Sequence, residues 1–421
     1  MTQSREYDIV VLGATGYTGK LAAECIARKA PSNIRWAIAG CSKFKLEEVA
    51  LRCKLLKPDR IQPAIEICSL DPLELDSLAK KATVLITTIG PYSVYGEAPF
   101  KACAENGTHY LDITGEAVWH NRMIKKYETT ARSTGSIMIP QIGLQSAPAD
   151  LIAWTLVTLI REKFSVPTAE VVMWTKFIGR PSGGTTSTLL GIFDFYSKKE
   201  LFSTIFPFAR SPIASPKRAD CVSWTTKLFG VRTIPGLGVM TSYIFAATDK
   251  SVVYRTWGLH GSSRNYGPSF EFNEYKKAKN CLSAVVFHFW LAVGVILVAI
   301  PFIRSLLRKL AFQPGYGPPI SDTRGQRMEF RAIANQDVKT PNPARVLCKA
   351  TYIGSPYDLT ALLITTAAVS ILRDWPRLEG GVYTPACLGE TYIDRLYDNG
   401  FQIRKKVMLE ERCSSLRVNA H

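Results

Sequence analysis

Seven residues, Gly13-Ala14-Thr15-Gly16-Tyr17-Thr18-Gly19, carry the clearest chemistry in this 421-residue chain. Three glycines at i, i+3 and i+6 follow an apolar run ending at Leu12, and a helical pattern opens behind them. A Cβ at these glycines would obstruct the turn, an approaching phosphate, or the strand beneath the helix. Amide groups at the helix start add partial positive charge for an anion. The placement after a first strand predicts a dinucleotide-binding turn using Gly13, Thr15, Gly16, Tyr17, Thr18 and Gly19. From Gly40 to Leu46 no acidic residue is available to hold a ribose 2′-hydroxyl; Ser42, Lys43 and Lys45 stand there instead. Two cations and a hydroxyl suit a 2′-phosphate, so NADP is expected over NAD. The plain alternative is a solvated helix start.

Gly90-Pro91-Tyr92 follows a β-branched strand, at the carboxyl end where open α/β sheets bind ligands. Gly90 and Pro91 are read as cofactor-binding. Tyr92 or Tyr95 could stack on a ring or supply a proton, and a packing role competes for each. His109 and Asp112 lie three apart on a short strand and so face opposite sides; Asp112 could simply cap the Thr114-Gly115 turn. Ser182-Gly183-Gly184-Thr185 precedes a helical run. It could aim amides at a substrate carbonyl oxygen, or be a plain N-cap. Tyr275 and Lys279 form a Tyr-x-x-x-Lys pair far from the glycine turn, which is read as chance.

The elements that must position these residues alternate regularly up to about residue 140. Strands read at Ile34 to Ala39, Ile65 to Cys68, Thr83 to Ile89, His109 to Ile113 and Ile137 to Ile139 are separated by helical spacing. The expected fold class is α/β: a Rossmann-type doubly wound parallel sheet over residues 1–140, completed by about 375–421. Residues 141–374 read as an inserted α+β substrate or dimerisation domain, with strands expected at Glu170 to Ile178, Val252 to Trp257, Phe270 to Phe272, Met328 to Ala334 and Ala344 to Tyr352. Residues 207–240, rich in Pro, Ser and Gly, read as a long loop.

Lys and Arg exceed Asp and Glu by 17, which suits anionic membranes or phosphorylated ligands. Nucleic acid is disfavoured: there is no zinc-finger spacing and no basic strand interleaved with aromatics. Ten scattered cysteines without Cys-x-x-Cys read as reduced thiols. No signal peptide is visible. From Asn280 to Ile303 there is no charge, while Lys276, Lys277 and Lys279 precede the run and Arg304, Arg308 and Lys309 follow it. Equally basic flanks give no orientation for a span. The preferred reading of the 280–310 segment is an apolar helix lying in a cytosolic leaflet, at the endoplasmic reticulum or a lipid droplet in a eukaryote. The alternative is a helix buried in a cytosolic protein or a homodimer interface.

Six motifs in order carry a family resemblance: Gly13 to Gly19, Gly90-Pro-Tyr-Ser-Val-Tyr-Gly-Glu97, Gly107-Thr-His-Tyr-Leu-Asp-Ile-Thr-Gly-Glu116, Ser182-Gly-Gly-Thr185, Gly315-Tyr-Gly-Pro-Pro319 and Gly380-Gly-Val-Tyr-Thr-Pro-Ala386. Together they resemble the saccharopine dehydrogenase-like oxidoreductases, in the branch containing trans-acting enoyl reductases. The resemblance implies an NADP-binding Rossmann domain and an inserted α+β domain. Two positions depart from the pattern: Cys41 stands where relatives commonly carry arginine, and Gln145 where they tend to have aspartate.

The expected function is NADPH-dependent reduction of the C=C bond of an α,β-unsaturated acyl or carbonyl compound in lipid, polyketide or other secondary metabolism. Tyr92, Tyr95 or water would protonate the α-carbon. The apolar run favours a small lipophilic substrate, or an acyl chain on a carrier protein. A saccharopine-type C=N reduction, with Arg180, Arg255 and Arg264 clamping carboxylates, is the enzymatic alternative. A membrane-associated NADP(H)-binding protein without turnover is the other. No metal site is expected.

Overall fold

The computed structural model describes residues 5–177, 179, 181–203, 206–214, 222–260, 266–310, 312–313, 315–319, 325–338, 344–374 and 378–408. The amino-terminal part alternates: β1 Tyr7–Leu12, α1 Tyr17–Lys29, β2 Trp36–Gly40, α2 Lys43–Leu56, β3 Ala64–Ile67, α3 Pro72–Lys81, β4 Ala82–Thr87, α4 Tyr92–Tyr95, α5 Glu97–Asn106, β5 His109–Asp112, α6 Ala117–Thr134 and β6 Ile137–Ile139. Local signals set these bounds. Asp71 caps α3 by accepting from Leu73 and Glu74 amides, and left-handed Gly107 and Gly135 close α5 and α6. With β13 (Gly381–Val382) from near the carboxyl terminus, the strands form one parallel sheet in the order β13-β6-β5-β4-β1-β2-β3. Chain order reverses between β1 and β4, where a crevice opens at the carboxyl ends.

The remainder comprises α7 Ala147–Phe164, β7 Thr168–Lys176, α8 Gly183–Phe195, α9 Lys198–Ser203, α10 Trp224–Phe229, β8 Arg232–Ile234, β9 Gly238–Thr241, α11 Ala246–Leu259, β10 Glu271–Lys277, α12 Cys281–Ala299, α13 Pro301–Leu310, β11 Arg327–Gln336, β12 Arg345–Ile353, α14 Pro356–Arg373, β13 Gly381–Val382, α15 Gly389–Asp398 and β14 Gln402–Met408. A second, mixed sheet runs β14-β12-β11-β7-β10-β9-β8. Its inner face, including Val171, Met173, Phe272, Phe330 and Val346, joins one core with α7, α11 and α14.

Three expectations are corrected here. Val252 to Trp257 is helical, within α11, because a fully buried apolar run reads alike as strand or helix until its neighbours are known. Residues 207–240 contain α10 and the β8–β9 hairpin besides loop; 215–221 lie outside the described residues. The carboxyl-terminal segment divides: β13 pairs with β6 of the parallel sheet, whereas β14 pairs with β12 of the second. Helix α14, buried along almost its whole length, packs on α1 and so belongs to the parallel-sheet layers.

Most of the uncharged run forms α12, 19 residues long and apolar enough to cross a membrane by length and composition, in which only Ala284 is buried; its last residues open α13. Its first turns dock on β9, where Thr241 Oγ1 donates to the Ala284 carbonyl and Ser242 Oγ pairs with His288 Nδ1 at 2.8 Å. That contact accounts for a histidine in an apolar run. From Phe289 onward most large side chains are exposed, so the alternative of a helix buried within this chain is overturned.

Candidate coenzyme and substrate site

Leu12 ends β1, and Gly13 turns the chain at φ +83°, a value that disfavours any side chain. A Cβ on Gly19 would lie 2.2 Å from the Gly13 carbonyl oxygen and 2.9 Å from the Ala14 Cα, so α1 rests directly on the turn. Gly16 is the N-cap and offers no side-chain cap. The first-turn amides of α1 therefore have no intrahelical acceptor and face the crevice as an anion cradle. Thr88 Oγ1, donating to the Leu12 and Gly13 carbonyls, holds the turn against β4. This cradle fits a dinucleotide pyrophosphate.

At the end of β2, Gly40 is buried, and a Cβ there would sit 4.0 Å from the Thr15 hydroxyl. Ser42 begins α2 without a capping bond, and Lys43 and Lys45 project into solvent from its first turn. Neither lysine joins an ion pair among the described residues. They stand beside the crevice edge where an adenosine ribose would lie.

The Gly90-Pro91 peptide is cis and leads into α4. Tyr92 is corrected as a proton donor. It is buried at 5% exposure, its hydroxyl donates to the Thr87 carbonyl at 2.9 Å and accepts from the Ile113 amide, and its ring packs on Trp119. Burial raises the phenol well above its usual range. Tyr95, on the outer side of α4, is 44% exposed. Glu116 caps α4 from below: its carboxylate accepts from the Tyr92 and Ser93 amides at 2.8 and 3.0 Å and from Tyr196 Oη at 2.6 Å. Asp112 holds the Thr114 turn as the capping alternative required, accepting from the Thr114 and Gln141 amides and from Tyr110. Burial raises its carboxyl to about 7. The Gln145 side chain lies against Gly115, beside this turn.

Distant motifs meet at the start of α1. The Tyr17 hydroxyl donates to the Pro318 carbonyl, and its ring lies edge-on to Tyr357 at 5.0 Å. A Cβ on Gly317 would come within 2.8 Å of the Tyr17 ring. Residues 312–313 and 315–319 lie against the start of α8, where a Cβ on Gly183 would strike the Gln313 carbonyl. Ser182 is the N-cap of α8, accepting from Thr185. The Ser182 amide donates to Tyr357 Oη, and the Gly183 amide to the Tyr316 carbonyl at 2.9 Å. Three of the four amides of Ser182-Gly183-Gly184-Thr185 are thus taken by the protein itself. The expected amide cradle for a carbonyl oxygen is corrected to an N-cap with neighbouring hydroxyls: Thr185 Oγ1 and Tyr357 Oη lie 3.3 Å apart. Tyr357 escaped the sequence reading because Ser355-Pro-Tyr-Asp358 signals only a capping box, which it also forms.

Helix α8 runs from this corner to Glu116, which Thr188 and Tyr196 reach from its middle and end. It therefore lies across the carboxyl ends of β1, β4 and β5 and closes the crevice. On its other side Asp194 pairs with Arg304 of α13 at 2.7 Å and also with Arg308. Arg255 cannot clamp a substrate, being buried and committed to Glu128 and to the Arg210 and Val382 carbonyls. Arg180 and Arg264 lie outside the described residues. Tyr275 is held in β10 by Arg232, remote from the crevice.

Residues 9–139, the glycine turn and its sheet, match the saccharopine dehydrogenase NADP binding domain. Over 95% of the chain and 97% of the relative, the sequence is 31% identical to the saccharopine dehydrogenase-like oxidoreductase of Bos taurus. The chain belongs to this oxidoreductase family. Its parallel sheet is an NADP-binding domain, and NADP is its coenzyme. At 28% identity, the oxidoreductase is also similar to the trans-acting enoyl reductase of Mycobacterium bovis, over 93% of this chain and 96% of that one. The lipid droplet localized protein of Caenorhabditis elegans is likewise 28% identical, over 90% and 93%. Saccharopine dehydrogenase (L-Glu forming) of Saccharomyces cerevisiae shares the fold, with TM-score 0.58 and 11% identity, over 95% of this chain and 99% of that one.

Proposed function

We propose that this oxidoreductase reduces the C=C bond of a lipophilic α,β-unsaturated acyl or carbonyl compound, at the cytosolic face of a membrane or a lipid-droplet surface. One observation carries the reading: α8 covers the coenzyme crevice on one side and is ion-paired to α13, next to the exposed apolar α12, on the other. A hydrophobic substrate leaving lipid would meet α13 and α8 before the nicotinamide end of the crevice. The relatives named for enoyl reduction and for lipid droplets agree with this reading.

When bound, NADPH supplies the hydride. The first-turn amides of α1 hold its pyrophosphate, and Lys43 and Lys45 hold its 2′-phosphate. Thr185 and Tyr357 present hydroxyls where a substrate carbonyl oxygen gains charge as the β-carbon is reduced. The proton at the α-carbon comes from Tyr357, from Tyr95 at the crevice mouth, or from water. Carrier-bound acyl chains are included among the substrates.

The test is NADPH oxidation by the full chain with lipid vesicles, against long-chain enoyl thioesters, enones and imines. Turnover of enoyl compounds rising with chain length supports the reading. Turnover of imines alone replaces it with C=N reduction, and coenzyme binding without turnover replaces it with a non-catalytic role.

A further inference from the structure

The second sheet buries one face in the main core; on the other, Val172, Trp174 and Ile333 are covered with Leu237, Met240 and Tyr275, and the part formed by β11, β12 and β14 beyond that cluster is basic. Met328, Phe330, Val346, Cys348 and Ile403 point into the core. By alternation, Arg327 and Arg331 of β11, Lys349 of β12, Arg404 and Lys406 of β14, and Lys176 of β7 share the outer face. On these four strands that face carries two carboxylates. Glu170 is taken by Arg232 at 2.8 Å, and Glu329 is shared by Arg331 at 2.7 Å and Lys349 at 3.8 Å. Arg327, Arg404 and Lys406 have no ion-pair partner among the described residues. Arg327, Lys349, Thr351, Gln402 and Arg404 enclose a hollow of about 110 Å³, open to solvent and large enough for a phosphate group.

This hollow lies at a particular end of the sheet. Strand β10 runs parallel to β7, and the register sets Lys276 beside Thr175 and Lys176 beside Glu329. The chain therefore leaves β10 for α12 at the end of the sheet that holds Lys176, Arg327 and Gln402. Adjacent strands are about 4.8 Å apart, so the basic hollow sits roughly 10–20 Å across the sheet from the root of the apolar helix. Cations at that spacing from an apolar segment complement a lipid surface, where each adds electrostatic attraction to anionic headgroups.

We propose that the outer face of β11, β12 and β14 binds the phosphate headgroups of an anionic lipid surface, beside the point where α12 enters it. The inference rests on the membrane reading above and adds to it a lipid class and the residues that select it.

The experiment is flotation of the full chain with vesicles of phosphatidylcholine alone and of phosphatidylcholine with phosphatidate. Wild type should prefer the anionic vesicles, and added salt should remove the preference by screening. The double variant Arg327→Gln with Arg404→Gln should lower binding to anionic vesicles roughly fivefold per charge removed, leaving neutral vesicles and NADPH binding unaffected. A preference that survives this variant or survives salt overturns the headgroup face while the membrane reading stands. Loss of binding to both vesicle types on Val293→Lys with Ile296→Lys supports α12 as the anchor. No binding of wild type to any vesicle sinks the membrane reading itself, and capture of an acidic carrier protein instead of lipid overturns the headgroup assignment.

Discussion

The Tyr17 hydroxyl, in the first turn of α1, donates to the Pro318 carbonyl at 2.8 Å across 301 residues of sequence. The glycine turn is thereby closed by a segment that follows α12 and α13. Tyr17→Phe should cost about 1 kcal/mol, the net worth of one hydrogen bond. Gly317→Val, whose side chain would meet the Tyr17 ring, should cost about 1–3 kcal/mol by overpacking and weaken NADPH in parallel. Thermal unfolding and calorimetric titration of both variants check this. Unchanged NADPH affinity in Gly317→Val would detach the segment from the coenzyme site.

Coenzyme choice rests on the first turn of α2. Lys43→Glu with Lys45→Glu should weaken NADPH at least about tenfold, hydrogen bonds to charged groups being worth ~1.5–3 kcal/mol, and leave NADH unaffected. Fluorescence titration with both coenzymes reads the difference. Equal losses for the two would place the 2′-phosphate elsewhere.

Two tyrosines separate packing from chemistry. Tyr92→Phe leaves the Ile113 amide without its acceptor and should cost about 1–3 kcal/mol of stability with turnover retained. Tyr357→Phe should lower kcat about 100-fold, within the usual range for a general acid, with KM for NADPH little changed. A silent Tyr357→Phe passes the proton to Tyr95 or water.

Asp112 gives a pH signature. In the folded chain its carboxyl is raised to about 7, from the 3.8 of a free aspartate side chain. Between those values the folded state binds more protons than the unfolded, so this group's stabilisation falls as pH rises from about 4 to about 7. Asp112→Asn should flatten that part of the curve. Its amide oxygen can still accept from Thr114 and Gln141, and its NH₂ can donate to Tyr110. Thermal midpoints of both proteins across this range test it, and parallel curves would refute the assignment.

Much of the amino-terminal half was legible because its signals are local. The glycine turn, the glycines closing α5 and α6, and the alternation of apolar strands with 3.6-period helices each lie within a few residues. Asp112 as a turn cap was readable for the same reason, since its partners include Thr114. Val252 to Trp257 was not, because burial on all sides erases the periodicity that separates strand from helix.

By itself, then, the sequence determined a parallel NADP-binding sheet, the cations beside β2 and an uncharged helix long enough to matter to lipid. Tertiary structure decided which residues share the site. Tyr17, Ser182, Gly317 and Tyr357 meet only because α8, residues 315–319 and α14 fold back onto α1. It also withdrew Tyr92 into the core, consumed the Ser182 amides and left α12 outside. The reason is physical: a turn or cap is fixed by nearest neighbours, whereas burial, hydrogen-bond saturation and exposure depend on surfaces supplied from hundreds of residues away.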